Sequence, residues 1–123
     1  MALSSGMARN RLTIDDAASI AMALPGVVEG VSYGTRAWRA GRKPLMREKE
    51  RMAGVLVIGV DSLDERDFLI ESDPAAFFIT DHYRGYPMVL VRLDAIGRKA
   101  LAALIERAWR RVATKKLQAL YDA

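Results

Sequence analysis

The sequence predicts an α+β fold, two layers deep, in which a mostly antiparallel sheet carries helices on one face. Three observations lead there. Apolar residues recur at helical spacing near both ends of the chain and once between them. Short segments punctuated by glycine or proline fill the rest and read as strands joined by tight turns. The order of the two kinds is helix, several strands, helix, two strands, helix, which suits helices gathered on one side of a sheet.

The first helix is expected in "TIDDAASIAMAL". Ile14, Ala17, Ala18, Ala21 and Leu24 share a face, Thr13 heads it, and Asp15 and Asp16 suit its positive N-terminus. Pro25-Gly26 stops it. The segments "VSYG", "RAWRAG" and "PLMREK" follow as strands, with Gly41-Arg42-Lys43 at a hairpin tip. "GVLVIGV" is apolar on both alternating faces, Val55 and Val57 on one and Leu56, Ile58 and Val60 on the other, which marks a central strand.

Ser62 and Glu65 have capping-box spacing at the head of "SLDERDFLIES", where Leu63, Phe68 and Leu69 give a partial stripe, and Asp73-Pro74 ends this second helix. "AFFIT" and "MVLVRL" are two more strands around the loop "DHYRGYP". A last helix starts near Ile96 with Leu101, Leu104, Ile105, Ala108 and Val112 in one stripe. Extended unbroken, that spiral would bring Lys115 and Lys116 back toward the buried stripe, at a cost unless they were paired. A break near Ala113 is therefore expected, with Thr114 capping a short final helix whose apolar face is Leu117, Leu120 and Tyr121.

The chain of 123 residues fits one domain, residues 12–123, behind a flexible N-terminal segment, residues 1–11. It has no cysteine, so disulfides, thiolate catalysis and thiolate zinc sites are excluded. The opening "MALSSGMARN" lacks the apolar core of a secretory signal, and no run approaches a membrane span. A cytoplasmic protein without a membrane partner is expected.

The net charge of +4 is unevenly spread. Residues 36–51 hold seven cations against two anions, residues 61–81 seven anions against Arg66, and residues 98–116 seven cations against Glu106. Such segregation can build a basic face for polyanions or be neutralised internally, depending on how the fold places the windows.

Enzyme signatures are missing: no nucleophile elbow, phosphate-binding loop, dinucleotide fingerprint or zinc-protease helix occurs. The glycines of "GTRAWRAG" suit turns. His82 has no second histidine and reads as a turn residue. Trp38 and Trp109 fall where alternation or helical spacing places core residues. The expectation is a protein with no enzymatic activity, no cofactor and no metal.

Four stretches, "LPGVVEG", "AWRAGRK", "DPAAFFITDHYRGYPMVLVRLD" and "AWRRVATKKL", together resemble the MmcQ/YjbR-like family in order and spacing from about Leu12 to Tyr121. The resemblance implies a compact two-layer α+β fold of the YjbR-like type, comparable with secretion-chaperone-like domains. It also implies DNA binding through a "double wing" of hairpins. No set of catalytic residues comes with it. Where relatives typically have proline, this chain has Thr114, and a proline there would also favour the break.

On that reading, Arg39, Arg42, Lys43, Arg47 and Arg84 lie on hairpin wings and Arg110, Arg111, Lys115 and Lys116 on the C-terminal helices, all as contacts to the phosphates of duplex DNA. Tyr83 and Tyr86 would stack on exposed bases. The competing reading makes these cations an ordinary solvated surface, partly paired with the acidic second helix. A third expectation comes from the two-sided strands: the outer sheet face needs cover, which a homodimer, a protein partner or a packed segment of chain would supply.

Overall fold

The computed structural model describes residues 11–123, so the expected flexible segment lies outside the described residues except for Arg11. Helix α1 (Ile14–Met22) opens with a reciprocal capping box. The Thr13 side chain accepts from the Asp16 N–H at 3.2 Å, and Asp16 Oδ2 accepts from the Thr13 N–H at 2.8 Å. The chain then turns through Gly26, at φ +76°, into β1 (Val27–Ser32).

Strands β2 (Thr35–Ala40), β3 (Lys43–Glu48) and β4 (Val55–Gly59) continue as a meander, and β5 (Phe77–Phe78) and β6 (Met88–Arg92) complete one antiparallel sheet in the order β1-β2-β3-β4-β6-β5. The expected strand "VSYG" is displaced. Val31 and Ser32 end β1, whereas Tyr33 and Gly34, at φ 54° and 74°, form the two-residue turn to β2. Two successive positive φ values match the twist of paired strands, so this turn sets the hairpin register. Between β2 and β3 the register slips, Trp38 facing Met46 but Arg39 facing Pro44. Leu45 is thus the extra residue of a bulge beside a proline that has no N–H for the ladder.

Every residue of β4 is buried, as its two-sided apolar pattern requires. On one face Leu56, Ile58 and Val60 join Trp38, Met46, Val89 and Val91 under the helices. Helix α3 (Arg98–Val112) lays Leu101, Leu104, Ile105, Ala108, Trp109 and Val112 on this layer, and the Trp109 indole N–H donates to the Pro25 carbonyl at 2.9 Å. Each large side chain buried here contributes about 1.5–3 kcal/mol.

The other face is covered near its centre by the protein's own chain. Val55, Val57 and Leu90 pack with Tyr83, Met52, Phe78, Ile79 and Met88. Tyr83 ends the 3-10 turn Asp81–Tyr83, which folds residues 79–87 back over β4 and β6. The packed segment is thus the cover, and β1 and β2 remain open on that side, where Val28 and Arg39 are exposed.

Helix α2 (Leu63–Ser72) is capped by Ser62, whose hydroxyl accepts from the Glu65 N–H at 3.0 Å, while the Glu65 carboxylate reaches one residue further, to the Asp61 N–H. Its stripe differs from expectation. Leu63 and Phe68 are exposed, Leu69 and Ile70 pack on the core, and the buried side chain is Arg66. Helix α3 ends at Val112, and α4 (Lys115–Asp122) starts behind Thr114, whose hydroxyl accepts from the Leu117 N–H at 3.2 Å. The expected break and cap are both present. Among the described residues no helix is long and apolar enough to cross a membrane.

Candidate nucleic-acid interface

Parts of the two basic windows, Arg42 and Lys43 of the first and Arg111, Lys115 and Lys116 of the second, meet at one end of the sheet. Three contacts bring them together. The Gly41 N–H, at the β2–β3 tip, donates to the Gly26 carbonyl at 3.0 Å. Leu117 of α4 packs against Gly26, so closely that a β-carbon there would lie 2.6 Å from Leu117 Cδ1. Lys43 and Pro44 of β3 line the same groove as Arg111 and Val112 of α3. Arg42 and Lys43 are thereby set at the end of the molecule that also holds Arg111, Lys115 and Lys116.

These five side chains are exposed, as is Arg39 on the outer face of β2, and none of the six has a carboxylate within ion-pair distance among the described residues. The other three expected contacts are committed elsewhere. Arg84, on the 79–87 loop rather than a paired hairpin, bridges to Asp81. Arg110 is half-buried and holds Asp122 at 2.7 Å and Glu106 at 3.1 Å, so it fastens α4 to α3 and keeps the Asp122 carboxyl below the usual carboxylate range. Arg47 is half-buried on the outer face, donating to the Tyr83 hydroxyl at 2.6 Å and to Glu50 at 2.7 Å, with its guanidinium 4.7 Å from the centre of the Tyr33 ring.

Glu50 feels that contact. The Arg47 hydrogen bond, with a smaller contribution from its own backbone N–H, holds its carboxyl down to about 2. The Tyr83 hydroxyl is shifted the other way, upward, because burial disfavours its anion. Tyr83 is 4% exposed and its ring belongs to the outer-face core, so it cannot serve as a stacking platform, whereas Tyr86 is exposed. Trp38 and Trp109 are both fully buried, and His82 is an exposed residue of the 3-10 turn.

A groove of about 730 Å³ runs over the open part of the outer face to the basic end. Gly30, Ala37, Val57 and Met88 contribute an apolar floor, Tyr33 and Tyr86 aromatic walls, and Arg39, Lys43, Arg47 and Arg111 its charge. The acidic window reaches this region only at its start, where Asp61 and Glu65 border a small cleft with Gly59 and Arg111; Glu65 pairs with Arg107, while Asp64, Asp67 and Glu71 face solvent.

Sequence reasoning did not place Tyr33 or Gly59 in this region. Tyr33 was hidden because Tyr-Gly reads as the end of a strand. Gly59 did carry a signal, since a glycine inside an apolar strand marks a close approach to the backbone. A β-carbon at Gly59 would overlap the Arg111 guanidinium.

The YjbR family model matches residues 22–111. The chain belongs to the YjbR family. It is 36% identical to uncharacterized proteins of Mycobacterium bovis and Mycobacterium tuberculosis over 121 residues, covering 85% of this chain and 92% of theirs. It is also similar to the crystal structure of Deinococcus radiodurans protein DR2400, which carries the family-model domain DUF419. That match has a TM-score of 0.72 at 19% identity and covers 87% of this chain and 83% of the other. At that identity the likeness shows the fold, which for this YjbR protein is the two-layer α+β arrangement described above.

Proposed function

We propose that this YjbR protein is a binding module without catalytic chemistry, which holds duplex DNA through phosphate contacts from the basic end of its sheet. The observation that carries the reading is the convergence of Arg42 and Lys43 with Arg111, Lys115 and Lys116, held by the Gly41–Gly26 hydrogen bond and the Leu117–Gly26 contact. Exposed cations without carboxylate partners can approach phosphates and release counterions without first breaking an ion pair.

The position of two of these lysines adds weight. Lys115 and Lys116 occupy the first turn of α4, where the helix dipole favours acids, and that turn contains none. Lysines there work against their own helix, so helix stability does not account for them. A bound polyanion would. In this reading Arg39 extends the contact over the outer face, Arg47 is a supporting charge shared with Glu50, and Arg84 and Arg110 serve the fold.

The test is titration with a duplex of random sequence at several salt concentrations. The logarithm of the association constant should fall linearly with the logarithm of salt, by about 0.9 per phosphate neutralised. No binding at low salt would refute the reading.

One observation favours a second reading, self-association. Strand β1 is a sheet edge, and its Val28 and Val31 are 45% and 78% exposed. A second copy pairing along that edge would cover them. Light scattering that gives twice the mass of one chain would support this, and a strict monomer would remove it.

A further inference from the structure

The groove on the outer face holds an arginine whose placement has no structural explanation. Arg111 lies on α3, the helix that covers the opposite face, yet its guanidinium crosses the end of the sheet and rests on Gly59, where any β-carbon would displace it. The glycine makes room for this side chain in a strand that is otherwise Val55, Leu56, Val57 and Ile58. Arg111 has no ion pair among the described residues and lines the groove. Glu65 and Asp61 border the small cleft on its other side; Glu65 is taken by Arg107, and Asp61 is not within ion-pair distance of Arg111. An exposed, forked donor without an ion pair is suited to recognition of a phosphate or carboxylate.

The rest of the groove selects further. Its volume of about 730 Å³ falls within the range of about 300–1,000 Å³ typical of small-ligand sites. The floor at Gly30 and Ala37 is nearly free of side chains, so a flat group can lie against the sheet. A β-carbon at Gly30 would meet nothing within 4 Å. Tyr33 is 77% and Tyr86 55% exposed, and both line the groove. Arg47, fixed by Tyr83 and Glu50, backs the Tyr33 ring. The arrangement offers a slot for a flat aromatic ring and an arginine for a phosphate, with Lys43 on the same groove.

We propose that this groove binds an unpaired nucleotide, either free or as part of a single strand, with its phosphate on Arg111 and its base against the apolar floor and the exposed tyrosines. The proposal does not rest on duplex binding: it uses the groove, whereas the duplex reading also needs Lys115 and Lys116, which do not line it.

The test follows backbone amide shifts of the full chain during titration with adenosine 5′-monophosphate, with adenosine, and with a short oligothymidylate. Saturable shifts at Gly30, Ala37, Gly59 and Tyr86 are expected with the monophosphate or the single strand, and weaker ones with adenosine. Arg111→Gln, an exposed change, should weaken binding by about tenfold or more, Tyr86→Ala should weaken it too, and Arg51→Gln with Lys99→Gln, exposed cations that do not line the groove, should leave it unchanged. Shifts with the oligonucleotide alone would assign the nucleotide to a strand. The proposal is overturned if neither the monophosphate nor the oligothymidylate shifts the groove, or if Arg111→Gln binds as well as the parent chain. Loss of duplex binding in Lys115→Gln with Lys116→Gln, with the monophosphate still shifting Gly59 and Tyr86, would support a groove site distinct from the duplex face.

Discussion

The buried guanidinium of Arg66 donates to the main-chain carbonyl of Arg84 at 2.7 Å, and the same nitrogen lies 3.3 Å from the carbonyls of Tyr83 and Tyr86. A cation on α2 thereby pins the loop that carries Tyr83 over the sheet and Tyr86 into the groove. Its charge is balanced at the surface by Asp67, at 2.9 Å. Replacing Arg66 with Met should cost about 2–3 kcal/mol, because buried carbonyls lose a charged donor. Arg66→Lys should recover only part, since an ammonium lacks the planar fork. Chemical denaturation of the three proteins checks this, and equal stability would show that the loop holds itself.

Gly26 is a second structural constraint. It has φ +76° and no room for a β-carbon beside Leu117, whereas Gly41, at φ +63°, faces open space. Both positions penalise an L-residue by about 1–2 kcal/mol. Gly26→Ala should lose a further 1–3 kcal/mol or so from overpacking, and should loosen α4 from the hairpin tip. Comparing the thermal unfolding of Gly26→Ala with that of Gly41→Ala isolates the packing contribution.

Acid should weaken the fold in a defined window. Glu50 titrates at about 2 in the folded chain against an ordinary value of 4.5. Between those values the unfolded chain binds more protons, so stability rises with pH there. The contribution is complete above about pH 4.5 and is lost as pH falls toward 2. Glu29, lowered by its hydrogen bond from Arg36, and Asp16, lowered first by the Thr13 N–H, act in the same direction. The Glu50 pair is partly solvated, so its share is small. Glu50→Gln should flatten part of the acid limb of a stability profile and, by leaving Arg47 without its partner, should tighten anion binding in the groove. An unchanged acid limb would contradict this.

The sequence shows the junction at Ala113 because two local rules agree there: a continued spiral would bring Lys115 and Lys116 back to the core, and Thr114 is a good cap. It shows β4 because a strand buried on both sides must be apolar on both. Arg66 escapes sequence reading, since an arginine in an acidic helix resembles any solvated residue until residues 83–86 fold onto it. The meeting of Arg111 with Gly59 depends on where a helix end crosses a strand end, which no local pattern encodes. All nine expected DNA contacts were legible as charge, but their division into six free and three paired groups was not. That division depends on partners such as Asp122 for Arg110 and Tyr83 for Arg47, which only the fold supplies.

The proposal that two distant basic segments form one phosphate-binding face is tested most directly by the salt dependence of duplex binding in matched charge reversals. Lys43→Glu with Lys116→Glu changes that face, whereas Arg51→Glu with Lys99→Glu alters exposed cations beyond the far end of β3 and at the far end of α3. The first pair should weaken binding strongly and reduce the log–log salt slope by about 0.9 for each lost phosphate contact, while the second leaves the slope unchanged. Equal losses in the two pairs would contradict the account, because they would show attraction to net charge rather than to one face.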